Sequence, residues 1–201
     1  SRTKFLACLA RTESVKVAGV LLAAGTGSRF IDPEHKLLTN LRGEPLVTHA
    51  ARSMTESTLD GYAVVTGAVE LNKALTQFTE LQIVENPQFD QGIATSLNAA
   101  TAWALAHDFD ALVVGLGDQP GVPNSAWGLL AQTNSPIAVA TYDGKPGNPV
   151  RLEKSVWSSL PSTGDEGARV LIRARPDLVK QVACEGSSDD VDTVEDLRRW
   201  S

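Results

Sequence analysis

The amino-acid sequence predicts an α/β fold built on a mostly parallel central sheet. Two apolar runs, 17–22 and 111–116, are hydrophobic on both faces, as expected of strands covered by helices on each side. From Val17 onward, short apolar runs alternate with longer segments of helical period, the pattern of repeated β-α units. Both runs end in small or polar turns, Ala23 to Arg29 and Gly117 to Pro120, and ligands of open α/β sheets bind at that carboxyl edge.

The remaining elements follow in order. Pro45 begins a helix to about Met54, because its fixed φ and missing N–H cost little in a first turn. A second strand at 62–65 stops at Gly67. A short helix at 71–78 leads to a strand at 81–84, and an alanine-rich helix at 96–106 keeps Leu97, Ala100, Ala104 and Leu105 on related faces. After the strand at 111–116 come a helix carrying Trp127, a strand at 137–142 and a short extended piece at 150–152. Helices around Ser155 and Ala168, a strand at 178–183 and a closing helix from Thr193 complete the chain. Trp103, Trp127 and Trp157 all fall on helices and are assigned to packing.

With 201 residues, 42% of them hydrophobic, the chain can enclose a sizeable core within the range of one domain. The expectation is a single domain over 15–201 preceded by a flexible leader over 1–14, whose apolar stretch 5–10 is too short to span a membrane. The formal charge of -6, from 24 acids against 18 bases, and the lack of a basic block argue against a nucleic-acid partner. Cys8 and Cys184 are far apart, which suggests neither a disulfide framework nor a structural zinc site and fits a reducing cytoplasm.

The loop Leu22-Ala23-Ala24-Gly25-Thr26-Gly27-Ser28-Arg29 follows a strand, so its small residues can bring backbone N–H groups against a polyphosphate. Arg29 and Lys36 add positive charge. Phe30 replaces the third glycine of a dinucleotide fingerprint, and no Gly-Lys-Ser/Thr closes a Walker loop. Asp118, at the ligand edge of the strongest strand, suits either a turn or a carboxylate holding a hard cation. The acidic run 189–196 offers a capping pair, Asp192 with Glu195. The segment Gln91 to Leu97 leads into a helix whose start can seat an anion or a ribose, or is simply N-capped by Thr95 or Ser96. Residues 164–169 form a loop that either contributes charge to a pocket or turns the chain.

In this order the motifs resemble the molybdenum cofactor nucleotidyltransferases, especially the molybdenum cofactor cytidylyltransferase branch. They include the opening loop with Lys36-Leu37-Leu38 and Gly43-Glu44-Pro45-Leu46, then Asn86-Pro87 with Gly92 and Ser96. Gly117-Asp118-Gln119-Pro120, Gly147-Asn148-Pro149-Val150, Gly164 to Arg169 and Asp190 to Leu197 follow. The resemblance spans about 17–197 and implies a three-layer Rossmann-like nucleotidyltransferase fold that transfers CMP from CTP, with Mg²⁺, to molybdopterin or its molybdenum-loaded form. It implies nucleotide contacts from Leu22, Ala23, Ala24, Gly25, Thr26, Gly27, Asn86, Gly92 and Ser96, and catalytic roles for Arg29, Lys36 and Asp118. Asp118 and Asp192 would hold the metal, and Asn148, Asp165 and Arg169 the acceptor. A molybdoenzyme or its chaperone would receive the product. Ala-Ala-Gly at 23–25 resembles the CTP-using branch, with the methyl of Ala24 expected to crowd a purine.

Two features depart from that family. The spacer between Arg29 and Lys36 is longer than usual, and Asn148 stands where related cytidylyltransferases often carry histidine. Transfer to another small phosphorylated acceptor, an NAD(P)-dependent reductase on the same fold, and a non-catalytic binding factor are the competing expectations.

Overall fold

In a computed structural model the chain is described over residues 15–28, 30 and 35–200. The expected leader at 1–14 and Arg29 lie outside the described residues. The strand β1 (Val17–Ala23) is followed by a 3-10 turn at Lys36–Leu38 and a small antiparallel ribbon of β2 (Asn40–Leu41) and β3 (Glu44–Pro45). Then come α1 (Leu46–Thr55), β4 (Gly61–Thr66), α2 (Asn72–Leu75), β5 (Leu81–Glu85), α3 (Ile93–Ala106) and β6 (Ala111–Leu116). The chain continues through α4 (Asn124–Ala131), β7 (Ile137–Tyr142), β8 (Lys145–Glu153), α5 (Arg169–Ala174), β9 (Val179–Ala183) and α6 (Val194–Trp200). Among the described residues, no helix is long and apolar enough to cross a membrane.

Seven strands form one sheet in the order β5-β4-β1-β6-β8-β7-β9. Every neighbouring pair is parallel except those made by β8, which runs antiparallel to both β6 and β7. The doubly apolar runs serve two cores. Val17, Leu21, Ala111 and Val113 join the layer that contains α1 and α4 residues, whereas Ala18, Val20, Leu112 and Val114 join the layer with α3 and Trp157. Full burial of such side chains stabilises by about 1.5–3 kcal/mol each, which fixes the register of the central strands. All three tryptophans assigned to packing are buried.

Several boundaries differ from expectation for local reasons. Pro45 pairs in the ribbon and holds an extended ψ of 142°, so α1 starts one residue later. The alanine-rich helix starts at Ile93 rather than Ser96, because the break comes at Gly92 with φ 100°. The extended piece at 150–152 is the end of a nine-residue strand, β8. Asp143 and Gly144 adopt positive φ, 49° and 78°, and turn β7 directly back into β8, as a two-residue hairpin loop requires. The helix around Ser155 is a 3-10 segment, Lys154–Ser159.

Candidate active site

The strands β1 and β6 are parallel neighbours with Leu22 opposite Leu116, so the loops leaving them emerge side by side. Gly117 N–H donates to the carbonyl of Leu22 at 3.1 Å and locks the two loops together. Asp118 follows directly. Lys36 Nζ lies 2.7 Å from Asp118 Oδ2 and 3.0 Å from Asp192 Oδ1. Burial pulls the Lys36 ammonium toward the neutral form, but the two carboxylates outweigh it and hold its pKa above the usual lysine value. Three charged groups from distant parts of the sequence thus share one partly buried point.

Asp192 reaches that point because the segment before α6 is pinned to the β6 loop. Val191 is fully buried with Phe30, Leu41 and Leu46, and its N–H donates to the carbonyl of Asp118 at 3.0 Å. The capping pair is not Asp192 with Glu195. Thr193 N–H and Oγ1 both donate to Asp196 Oδ2, at 2.9 and 2.7 Å, while Asp196 N–H donates to Thr193 Oγ1 at 3.1 Å. This is a reciprocal capping box one residue further on, and it leaves the carboxylate of Asp192 turned to Lys36.

A cavity of about 310 Å³ opens at this cluster, lined by Leu22, Ala23, Gly25, Thr26, Gly27, Lys36, Asp118 and Asp192 among others. The glycine loop is tied to the lysine turn through His35. Its Nδ1 accepts from Leu37 N–H at 3.2 Å, which leaves Nε2 to donate to the carbonyl of Gly25 at 3.1 Å. Burial first, with the charge of Lys36 adding to it, lowers the pKa of His35 against the pull of two loop carbonyls. A neutral imidazole in one tautomer satisfies both bonds. Ala24 does not line this cavity: it is 4% exposed and packs in the α3-side core. A Cβ built at Gly67 would come within 2.9 Å of the Ala24 methyl. The expected clash of that methyl with a purine therefore has no support in the structure.

A second cavity, about 370 Å³, adjoins the first through the shared residues Leu22 and Asp165. Asn148 and Arg169 line it together with aliphatic side chains of α3, β6, β7 and β8. Its outer wall depends on Gly92. Ala94 N–H donates to the Gly164 carbonyl at 3.0 Å and Gly164 N–H to the Gln91 carbonyl at 2.9 Å. A Cβ at Gly92 would lie 2.5 Å from the Gly164 backbone and 2.7 Å from Asp165 Oδ1. Gly92 therefore acts by letting the Asp165 loop close over the start of α3.

Asn86 and Ser96 stand apart from both cavity linings. Asn86 is buried, donates through Nδ2 to Thr95 Oγ1 at 2.9 Å and Ser96 Oγ at 3.0 Å, and accepts from Gln88 N–H at 3.0 Å. These bonds fasten the 86–88 turn to α3. The sequence reading missed Gln119, Asp190, Tyr142 and His35. Gln119 Nε2 donates to Asp190 Oδ1 and to the Ser188 carbonyl, both at 2.7 Å, and its Oε1 accepts from Asn148 Nδ2 at 3.2 Å. Burial first, and then the nearby charge of Asp118, raise the carboxyl pKa of Asp190 against the Gln119 hydrogen bond. Gln119 and Asp190 sat inside quoted motifs, and only their separation in sequence hid the pairing. A Cβ at Gly147 would meet Ser188 Oγ at 2.0 Å, so the glycine lets Ser188 lie directly against β8.

This sheet order, with a glycine loop and two carboxylates gathered at the ends of β1 and β6, defines a Rossmann-like nucleotidyltransferase domain. The chain belongs to the MobA-like NTP transferase domain family, which matches residues 19–181. A curated relative, nicotine blue oxidoreductase of Paenarthrobacter nicotinovorans, is 34% identical over 197 residues, covering 91% of this chain and 95% of its own. A nucleotidyl transferase from Methanothermobacter thermautotroptrophicus shares the fold at a TM-score of 0.77, with 22% identity over 92% of this chain and 96% of that one. Rv0371C of Mycobacterium tuberculosis H37Rv, solved in complex with manganese, does so at 0.73, with 23% identity over 92% and 98%.

Proposed function

We propose that the protein is a Mg²⁺-dependent nucleotidyltransferase that moves CMP from CTP to molybdopterin or its molybdenum-loaded form and releases pyrophosphate. The observation that carries this reading is the convergence of Lys36, Asp118 and Asp192 beside the glycine loop. Two carboxylates already gathered on one ammonium are a donor set that fits a hard divalent cation. Mg²⁺ commonly takes one or two carboxylates and completes its shell with phosphate oxygens and water. Among the described residues there is no group of three or more such ligands, in keeping with a metal shared with substrate. The manganese bound by the mycobacterial protein of the same fold supports divalent-metal use. Asp118 and Asp192 would hold the ion, which supplies neutralisation of the triphosphate charge.

The remaining roles fall to the chain. N–H groups of 23–27 would receive phosphate oxygens, with Arg29 and Lys36 balancing the charge that builds on the leaving pyrophosphate. The second cavity, opening through Leu22 and Asp165, would take the acceptor, with Asn148, Asp165 and Arg169 at its polar edge. An acceptor phosphate monoester has a second pKa of ~6 and is mostly ionised at neutral pH, so transfer needs no general base. Positioning and charge compensation then provide the rate. The choice of CTP rests on the Ala23-Ala24-Gly25 resemblance. Pyrophosphate release measured with each of the four NTPs, Mg²⁺ and molybdopterin tests it; release with CTP is expected, and release only with another NTP would reassign the donor.

A reductase is the second reading, favoured by the 34% identity to nicotine blue oxidoreductase. Oxidation of NADH or NADPH by the purified protein, with no nucleotidyl product, would support it. The absence of a third loop glycine, with Phe30 in its place, weighs against a bound dinucleotide.

A further inference from the structure

Asp192, one of the two carboxylates on Lys36, stands at the foot of a helix too short to hold itself. The helix α6 has seven residues, none of them fully buried, and isolated helices below about 12–15 residues are marginal in water. Val194, Leu197 and Trp200 pack partly buried against Phe30, Leu41, Leu46 and Val191. Trp200, at the far end, also reaches the loop that carries Asp118. A Cβ built at Gly121 would lie 2.2 Å from Trp200 Cη2, so the indole occupies the place where a side chain would begin. The same Cβ would lie 3.0 Å from the Ser187 carbonyl oxygen, and Ser187 N–H donates to the Gly121 carbonyl at 3.1 Å. Residues 187 and 200 thus meet at Gly121, with Asp192 on the span between them. Val191 N–H fixes the front of that span on the Asp118 carbonyl. Beyond it the chain follows α6, because Asp196 Oδ2 accepts from Asp192 N–H at 3.3 Å as well as from Thr193. That carboxylate is in place only when the first helical turn is formed. Neither Trp200 nor Gly121 lines the cavity at the charged cluster.

We propose that Trp200 is a positioning residue for the cation site: by seating α6 on Gly121 it keeps Asp192 beside Asp118. The inference rests on reading the two aspartates as ligands of a divalent ion. One loop then carries both a ligand, Asp118, and the seat of the helix that delivers the other. An indole suits this seat, since a large flat side chain buries wide area against bare backbone. Loss of the indole frees α6 and with it the second carboxylate, while Asp118 stays where β6 and the bond from Gly117 to Leu22 put it. A purely packing role predicts instead a lower Tm with cation affinity intact.

The test titrates Mn²⁺ alone into the full chain, with free Mn²⁺ read by electron paramagnetic resonance well below the Tm of each variant. Trp200→Ala is expected to weaken Mn²⁺ binding about tenfold, the lower end for loss of a group that orients a metal ligand. Trp200→Phe keeps a ring on Gly121 and is expected to stay within about twofold of wild type. In an Asp192→Asn background the Trp200→Ala change is expected to add no further loss, because both act through one carboxylate. Affinity unchanged by Trp200→Ala, or an equal loss in the Asp192→Asn background, would overturn the proposal. Should Trp200→Ala not fold, Gly121→Ala displaces the indole from the other side and is expected to show the same loss; unchanged affinity there would overturn it too. Failure of the cation-site reading has its own signature, in which wild type binds no Mn²⁺ or Asp118→Ala binds it equally well, and the proposal falls with that reading.

Discussion

Lys36 carries the largest share of the site's electrostatic order, because both carboxylates turn to it and it faces the cavity floor. Replacing it with Met removes the positive charge while leaving Asp118 and Asp192 to repel each other. Turnover is expected to fall about 10²- to 10³-fold, the usual scale for one lost transition-state donor. Asp118→Ala is expected to abolish turnover with the fold intact, and circular dichroism alongside the pyrophosphate assay checks both; retained activity would exclude the metal role. His35 makes a separate prediction from its lowered pKa. The unfolded chain takes up this proton near the ordinary value of 6.5, and the folded chain only below it. The bonds of His35 therefore stabilise fully above pH 6.5 and lose that contribution as pH falls toward the folded pKa. The gap in Tm between wild type and His35→Gln should narrow between pH 7.5 and pH 5. A gap independent of pH would show that the ring's protonation is not coupled to folding.

At the scale of elements, the site is assembled by close backbone contacts as much as by side chains. Gly92 adopts φ 100° and admits the 164–165 loop at a distance no Cβ permits. Gly92→Ala is expected to destabilise by about 1–3 kcal/mol, the range for strain at a special backbone conformation. It should also raise the KM for the acceptor more than that for the nucleotide, since the loop it displaces walls the second cavity. Thermal unfolding and the two KM values check this. The doubly apolar strands β1 and β6 were legible because continuous hydrophobic runs have one reading in an α/β chain. The strand β8 was not, since Gly147-Asn148-Pro149 interrupts its apolar pattern and its pairing depends on the hairpin turn at 143–144. The motif glycines were legible as flexible points. The actual service of Gly92 and Gly147, admitting a loop or a neighbouring segment, depends on partners more than 40 residues away in sequence.

For the whole molecule, the order β5-β4-β1-β6-β8-β7-β9 brings residues 36, 118 and 192 together, and nothing in their spacing announces it. The family resemblance put Asp118 and Asp192 at one site in advance, and the pairing of Lys36 with both is seen only in the structure. Two readings drawn from the resemblance needed revision once packing was known. The methyl of Ala24 faces the core, and Asn86 with Ser96 fastens the turn to α3. Ala24 and Ser96 lie next to residues that do line the cavities, Ala23 and Leu97, and a motif read as a string cannot tell a wall from its support.

Transfer of a nucleotidyl group between the two adjoining cavities can be followed by ³¹P NMR of a reaction containing the protein, CTP, Mg²⁺ and molybdopterin. The acceptor's monoester signal is expected to be replaced by a new pyrophosphate-diester linkage as free pyrophosphate appears in equal amount. Unchanged CTP and monoester signals, in a sample of the same folded protein that oxidises NADPH, would contradict it.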